Sequence, residues 1–369
     1  MKIAVITAAT NTIPRFRIDM IDEFVRRGSR VVVFGDEPSR QWDAYFSDHG
    51  VSYRTYQVSR NGMNPAADLR TKRQLRSLFE EERPDKVFTY QVKPNIYGAL
   101  AAHEAGINDV FVMIGGLGSV FRATDVKSRM VSLVVGAEYR IALKHATRVF
   151  FQNGEDVDLF ASRRIVDRRK VVMTRGSGVN LDKFPLRPLP EKPSFLFVGR
   201  LVRGKGVLDY LDAARIVKQT YSDAEFHLVG PFDTNPTAIS EGELQPYIDD
   251  GTAIYHGQQD DVRPFLEASS CFVLPSYYGE GTPKSALEAM ATGRPLVVAD
   301  AVGCREVVRD GINGFLVSPR DPTALAEAMV AAVSCRDRLE GMAKASRAMA
   351  EDVFDVRKVN SSICETMGL

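Results

Sequence analysis

Two stretches of the chain concentrate residue types suited to chemistry on an anion. In EGTPKSALE, Glu280 and Glu288 are separated by seven residues, behind the β-rich run CFVLPS and the turn YYG. The first glutamate falls in a loop at a strand's C-terminal end, where open α/β sheets place ligands, and the second lies about two turns into the next helix. Gly281 allows close backbone approach and Pro283 suits a first helical turn. Backbone N–H groups around Gly281, Thr282 and Pro283, with the positive end of the helix behind them, would meet a phosphate or a sugar hydroxyl. An ordinary strand, turn and helix with solvated glutamates has the same spacing, so the pair does not decide the matter alone.

The second stretch is GRLVRGKG, residues 199–206, which follows SFLFV and precedes a helical pattern with Leu208, Leu211 and Ile216 on one face. Its glycines, beginning with Gly199, bound a loop from which Arg200 and Lys205 would project. Two cations there would hold a diphosphate by charge-assisted bonds and neutralise one that departs. Both stretches follow strands of one expected sheet, which lets them converge on one crevice.

The elements that must position these residues alternate throughout the chain between short β-rich runs and longer helical segments. This is the pattern of parallel sheets covered by helices, an α/β class with two Rossmann-like halves. Six strand candidates fall in each half, KIAVIT, RVVVFG, KVFTY, VFVMI, RVFFQ and KVVMT in the first, and SFLFVG, EFHLVG, AIYHG, CFVLPS, PLVVAD and GFLVS in the second. Between them NLDKFPLRPLPEKPS holds four prolines and no periodicity, which reads as a linker. We therefore expect a first domain over 1–185 and a second over 186–350, with a cleft between them. An amphipathic helix over 351–369 is expected to cross back to the first domain.

At 369 residues, with 44% hydrophobic and 26% charged residues, the chain suits two globular domains. Its longest apolar runs fall short of the ~20 residues that span a bilayer, and the start MKIAVITAAT reads as a first strand rather than a leader. Four cysteines without CxxC spacing indicate no zinc site and no disulfide framework. The net charge of +1 conceals an asymmetry: residues 1–185 hold 29 Lys and Arg against 21 Asp and Glu, a balance of +8, and the rest hold 19 against 26, or −7. The basic half would meet something anionic, a membrane surface, a phosphorylated acceptor or nucleic acid, unless the split is chance scatter of solvated charges. No nucleic-acid recognition motif accompanies it, which speaks against the last partner.

With these residues in view, the second half resembles family 4 of the GT-B glycosyltransferases. The likeness runs through GRLVRGKG, EGTPKSALE and ALEAMATGRPLVVADAVGCREVVRDGINGFLVSPRDP, and GSGVNLDKF (176–184) is similar to that family's interdomain crossing. The resemblance implies that Arg200 and Lys205 bind the donor diphosphate, that Glu280 contacts the transferred sugar and that Glu288 contacts the nucleotide ribose. It implies retention of configuration by front-face transfer, a UDP-sugar donor of the hexose or N-acetylhexosamine type, and no metal or other cofactor. Many members carry a histidine near the sugar in the first domain, but the matching loop here, MIGGLGSVF (113–121), has none. The first-half histidines His49, His103 and His145 are read as surface, helix or packing residues. Asp156 and Asp158 form a DxD pattern in NGEDVDLF, read as the start of a helix rather than a metal pair.

TYQVKPNIYGALAA and IGGLGSVF resemble the subgroup acting on polyprenyl-diphosphate-linked sugars in capsule, O-antigen and glycoprotein assembly. By their position at strand ends Arg17 and Lys93 would contact the acceptor's diphosphate, unless they are surface charge, and Gly115 and Gly116 would leave room for its sugar. The segment 120–148 mixes apolar Val120, Phe121, Met130, Leu133 and Val134 with Arg122, Lys127, Arg129, Arg140 and Lys144, the composition of an interfacial helix. The protein is accordingly expected in the cytoplasm, docked peripherally on the inner face of an anionic membrane. The rival readings are a soluble glycogen- or sucrose-type transferase acting on a small acceptor, which shares the donor motifs, and a catalytically silent scaffold. A nicotinamide dehydrogenase would need GxGxxG after the first strand, where the sequence reads TAATNT.

Overall fold

The computed structural model describes residues 1–369 apart from 60, 61, 63, 119, 120, 122–125, 235 and 236, and apart from the side chain of residue 127. It divides into two compact units: Met1–Ser177 together with Val356–Leu369, and Gly178–Asp355.

The first unit is built on seven strands: β1 Lys2–Ile6, β2 Arg30–Gly35, β3 Val51–Thr55, β4 Lys86–Tyr90, β5 Asp109–Ile114, β6 Arg148–Phe151 and β7 Val171–Met173. They hydrogen-bond in the order β3-β2-β1-β4-β5-β6-β7, every pair parallel. Strand alternation distributes the apolar residues to two cores: Ala4, Ile6, Val32 and Phe34 join one, and Ile3, Val5, Val31 and Val33 join the other. This explains why the strands read as unbroken apolar runs, since helices cover both faces. The strand that sequence patterning missed is β3. It is an edge strand in which only Val51 and Tyr53 are buried, so its apolar signal is two residues long.

Helix Ile18–Arg26 buries Ile18, Met20, Ile21 and Phe24 on one face. The closing helix Val356–Met367 brings Val359, Ile363, Cys364 and Met367 into that same core. Arg27 ties the two helices by donating to the Leu369 carbonyl at 3.0 Å and to Ser361 Oγ at 2.9 Å. The Asp156 pair opens helix Gly154–Ser162: Asn153 Oδ1 accepts from the Asp156 N–H at 2.8 Å, and Asp158 pairs with Arg168.

The second unit has six strands: β8 Ser194–Val198, β9 Glu225–Val229, β10 Ile254–Tyr255, β11 Cys271–Leu274, β12 Leu296–Ala299 and β13 Gly314–Val317, ordered β10-β9-β8-β11-β12-β13 and again all parallel. Its first residues pack into its own core. The Val179 N–H donates to the Phe354 carbonyl at 2.7 Å, Lys284 donates to the Gly178 carbonyl at 2.6 Å, and Val179 is wholly buried. The proline-rich stretch then lies along this unit with its carbonyls held by three guanidiniums. Arg347 reaches Phe184, the fully buried Arg294 reaches Arg187 and Pro188, and Arg336 reaches Leu189 and Pro190. Prolines lack an N–H, so the strap offers few backbone donors, of which the Arg187 N–H reaches the Thr292 carbonyl at 3.2 Å, and side-chain donors to its carbonyls add the rest. No described helix is long and apolar enough to cross a membrane.

Candidate functional site

In each sheet the strand order reverses once, between β1 and β4 in the first unit and between β8 and β11 in the second. Loops leaving the C-terminal ends of such strand pairs diverge to opposite faces and open a crevice between them. Both second-unit sequence motifs leave those strands, GRLVRGKG from β8 and the Glu280 loop from β11.

The two loops meet. Lys205 Nζ forms an ion pair with Glu280 Oε1, both side chains largely buried. Ser276 Oγ donates to the same Glu280 oxygen at 2.9 Å. Burial pushes the Glu280 carboxyl up, but Lys205, then Ser276 and Arg200, outweigh it and hold the group below its ordinary value of 4.5. Arg200, next to Gly199 at the end of β8, donates to Asp233 Oδ2 at 2.8 Å and lies 5.5 Å from the Tyr278 ring centroid. Burial lowers the Arg200 value, and Tyr278 and Asp233 more than restore it, so the guanidinium stays charged.

Glycine is required at two turns that shape this crevice. Gly206 sits at φ +72, and a Cβ there would lie 2.3 Å from the Pro275 carbonyl oxygen, which keeps the two loops in contact. Gly303 sits at φ +80, and a Cβ there would lie 2.1 Å from the Gly281 carbonyl oxygen. Beyond Glu280, Gly281 and Thr282 lead to Pro283, the residue before helix Lys284–Ala291, and Glu288 is buried within that helix. Cys304 donates toward the Ser276 carbonyl, and burial raises its thiol far above the ordinary value, so it serves packing.

The corresponding ends of the first sheet carry the other expected residues. Arg17 precedes helix Ile18–Arg26 and is only 6% exposed. Its guanidinium reaches Ser177 Oγ at 3.3 Å and stands 5.2 Å from the Tyr90 ring centroid, while its Nε has no partner. Among the described residues no carboxylate pairs with it, and burial lowers its value to about 10. Lys93, after β4, is differently placed: its ammonium is held by Asp68 Oδ1 at 2.6 Å, and both side chains are nearly buried. Gly115 and Gly116 directly follow β5, Gly116 at φ +120.

Four participants were absent from the motif reading. Asp233 and Tyr278 hold Arg200, and Ser276 holds Glu280. Gln91 bridges the first crevice: its Oε1 accepts from the Ala8 N–H at 2.8 Å and from Thr7 Oγ1 at 3.2 Å, with its own backbone at φ +75. A non-glycine residue there costs about 1–2 kcal/mol, strain of the kind that collects at ligand sites. The available signal was position alone, since all four stand within a few residues of a strand's C-terminal end. The expected interfacial segment is reproduced in part. Met130, Leu133 and Val134 are exposed on helix Val126–Leu143, but Phe121 is not. It is buried against Tyr139 and Phe160, because its ring completes the aromatic cluster under the helix. Val120, Arg122 and the side chain of Lys127 lie outside the described residues.

Two family models match the chain, "Glycosyl transferase 4-like domain" over residues 16–176 and "Glycosyl transferases group 1" over residues 192–334. The UDP-Gal:alpha-D-GlcNAc-diphosphoundecaprenol alpha-1,3-galactosyltransferase of Escherichia coli is 30% identical over 281 residues, 71% of this chain and 70% of that protein. The chain belongs to family 4 of the GT-B glycosyltransferases. It is also similar, at 28% identity over 341 residues covering 89% of the chain and 88% of the relative, to the N,N'-diacetylbacillosaminyl-diphospho-undecaprenol alpha-1,3-N-acetylgalactosaminyltransferase of Campylobacter jejuni. Among solved structures, Anabaena HepE in complex with UDP superposes with a TM-score of 0.80 at 18% identity and full coverage of both chains, a likeness of fold. As a family 4 glycosyltransferase, the protein carries its two basic residues and its first glutamate in one assembled cluster.

Proposed function

We propose that this glycosyltransferase moves a hexose or N-acetylhexosamine, with retention of configuration, from a UDP-sugar to a saccharide carried on polyprenyl diphosphate. The observation that carries the reading is the joining of Arg200, Lys205 and Glu280 across the β8/β11 switch point. Two cations and a glutamate there fit a sugar diphosphate whose leaving group must be neutralised. In the transfer, the bond between the sugar's C1 and the β-phosphate oxygen breaks as the acceptor hydroxyl oxygen bonds to C1 on the same face, and the hydroxyl proton passes to the departing phosphate. Arg200 and Lys205 stabilise the charge that develops on that phosphate, and Glu280 orients the sugar. Gly199, Gly281, Thr282 and Pro283 line the donor with backbone, and Glu288 holds the ribose. The two cations do the electrostatic work that a divalent ion does in other transferases, so we propose turnover without metal.

For the acceptor, support comes from the relatives named above, both of which act on sugars linked to diphospho-undecaprenol by their names. Arg17, buried with no carboxylate partner among the described residues, is the group suited to the acceptor diphosphate, and Gly115 and Gly116, which follow β5, leave room for the acceptor's sugar. Lys93 is neutralised by Asp68 and is assigned to fastening its loop to helix Pro65–Glu82. Docking on the inner face of the cytoplasmic membrane completes the reading, supported by the exposed apolar residues of helix Val126–Leu143 and the basic first half of the chain.

The test is UDP release from a panel of UDP-sugars in EDTA, with and without a polyprenyl-diphosphate sugar, for the wild type and Glu280→Ala. Acceptor-dependent turnover of one donor that survives EDTA and collapses in the variant is expected. Turnover with soluble sugars alone would overturn the lipid-linked acceptor, and loss of turnover in EDTA would overturn metal independence.

A further inference from the structure

Helix Val126–Leu143 presents Val126, Met130, Leu133, Val134 and Ile141 to solvent, each at least half exposed. Their spacing of i, i+4, i+7, i+8 and i+15 puts them on one stripe, with Arg129 and Arg140 along one border. Where this helix ends, the surface turns into a cavity of about 620 Å³ lined by Arg140, Lys144, Arg164, Arg168 and Lys170. Asp167 is the acidic residue of the lining, and its carboxylate is already held by Arg169 at 2.6 Å.

The cations divide by task. Arg140 donates to the Arg163 and Arg164 carbonyls at the end of helix Gly154–Ser162, and Lys170 donates to the Leu143 and Lys144 carbonyls at the end of helix Val126–Leu143. Each offsets the negative end of a helix dipole. Arg168 pairs with Asp158. Lys144 and Arg164 cap nothing and pair with no carboxylate among the described residues, yet both line the cavity. The local potential shows in its neighbours. Burial, then His103, Lys170 and Lys144, push the His145 imidazole below its ordinary value, and burial with Arg148 and Arg169 lowers Lys170 although Asp167 opposes it.

We propose that this cavity binds the phosphate of an anionic phospholipid headgroup while the adjoining stripe lies in the bilayer interface. A phosphodiester brings one negative charge and two unshared oxygens. Lys144 supplies a point charge and Arg164 a planar pair of donors, and the helix-capping cations reinforce the field around them. A lipid is the source that fits the apolar stripe, because the stripe and the cavity share one helix and meet at Arg140 and Ile141. The inference rests on the docking reading above and adds the site that selects the headgroup.

The full chain is floated with phosphatidylcholine vesicles and with vesicles that also contain phosphatidylglycerol, and its binding of inorganic phosphate and glycerol 3-phosphate is measured by calorimetry. Lys144→Glu with Arg164→Glu is expected to weaken binding to the phosphatidylglycerol vesicles at least about tenfold. Arg70→Glu with Arg73→Glu, the same charge change on helix Pro65–Glu82, is expected to change it no more than about twofold, and the milder Lys144→Gln with Arg164→Gln serves if the reversed pair does not fold. Met130→Glu with Leu133→Glu is expected to abolish binding to every vesicle. If the cavity variant binds like the charge control while the stripe variant fails, the headgroup site is wrong and docking stands. If the wild type binds no vesicle, docking itself falls. Phosphate binding in solution that the cavity variant loses, with vesicle binding unchanged, would make the cavity a site for soluble phosphate and overturn the lipid source.

Discussion

A guanidinium buried without a carboxylate works against folding, and among the described residues Arg17 is in that position, with Ser177 and the Tyr90 ring as its neighbours. If its purpose is the acceptor's diphosphate, stability and function should part company there. Arg17→Met is expected to leave thermal stability equal or higher, by up to about 2 kcal/mol, while raising the acceptor KM at least about tenfold with donor binding unchanged. A lower melting midpoint with an unaltered KM would make Arg17 a packing residue. The Glu280 and Lys205 pair makes the opposite prediction. Removing one member leaves the other buried and charged, so Glu280→Gln is expected to cost about 3 kcal/mol near pH 7. The Glu280 carboxyl is depressed in the fold, so its contribution is present above the ordinary value of 4.5 and is lost as pH falls through the lower folded value. Melting curves of wild type and variant should therefore converge in acid. The motifs made Arg200, Lys205 and Glu280 legible in the sequence as ligand contacts. That two of them neutralise each other was not legible, because the pairing depends on how far the β8 and β11 loops reach.

Among the elements, the alternation of apolar strands and capped helices was readable wherever a strand is buried on both faces. It failed at β3, where an edge strand needs only Val51 and Tyr53 to face inward. The β8 loop is fixed by backbone shape as much as by charge. Gly206→Ala forces a left-handed residue and a Cβ into the Pro275 carbonyl, and it is expected to raise the donor KM at least about tenfold and to cost more than about 1 kcal/mol in stability. Equilibrium binding of UDP to the folded variant would check the first part. The β9 and β10 edge carries a second pH response. His227 Nδ1 and His256 Nε2 lie 3.0 Å apart, and burial depresses both imidazoles below the ordinary 6.5. Between 6.5 and the folded values the unfolded chain binds more protons, so stability should fall as pH drops through that range. His256→Phe is expected to flatten that slope in pH-dependent denaturation, and an unchanged slope would assign the protons elsewhere.

For the molecule as a whole, the proline-rich stretch was read as a linker between the two halves, and its attachment within the second unit was hidden, since nothing in a run of prolines says that Arg294, Arg336 and Arg347 will hold its carbonyls. Arg294→Met leaves the carbonyls of Arg187, Pro188 and Ser269 without that donor and is expected to speed proteolytic cleavage between residues 185 and 191 severalfold, read by mass of the fragments. Digestion at the wild-type rate would show that the strap is held by the other two arginines. The closing helix Val356–Met367 carries a different consequence. Because its residues complete the core beneath helix Ile18–Arg26, the unit that is synthesised first is finished last. Residues 178–355 form one continuous stretch, whereas the earlier unit has Ile21 and Phe24 uncovered until helix Val356–Met367 has been made. A chaperone that recognises nascent apolar surface would find its longest-lived target near the beginning of this chain, and a premature stop near its end would damage the beginning.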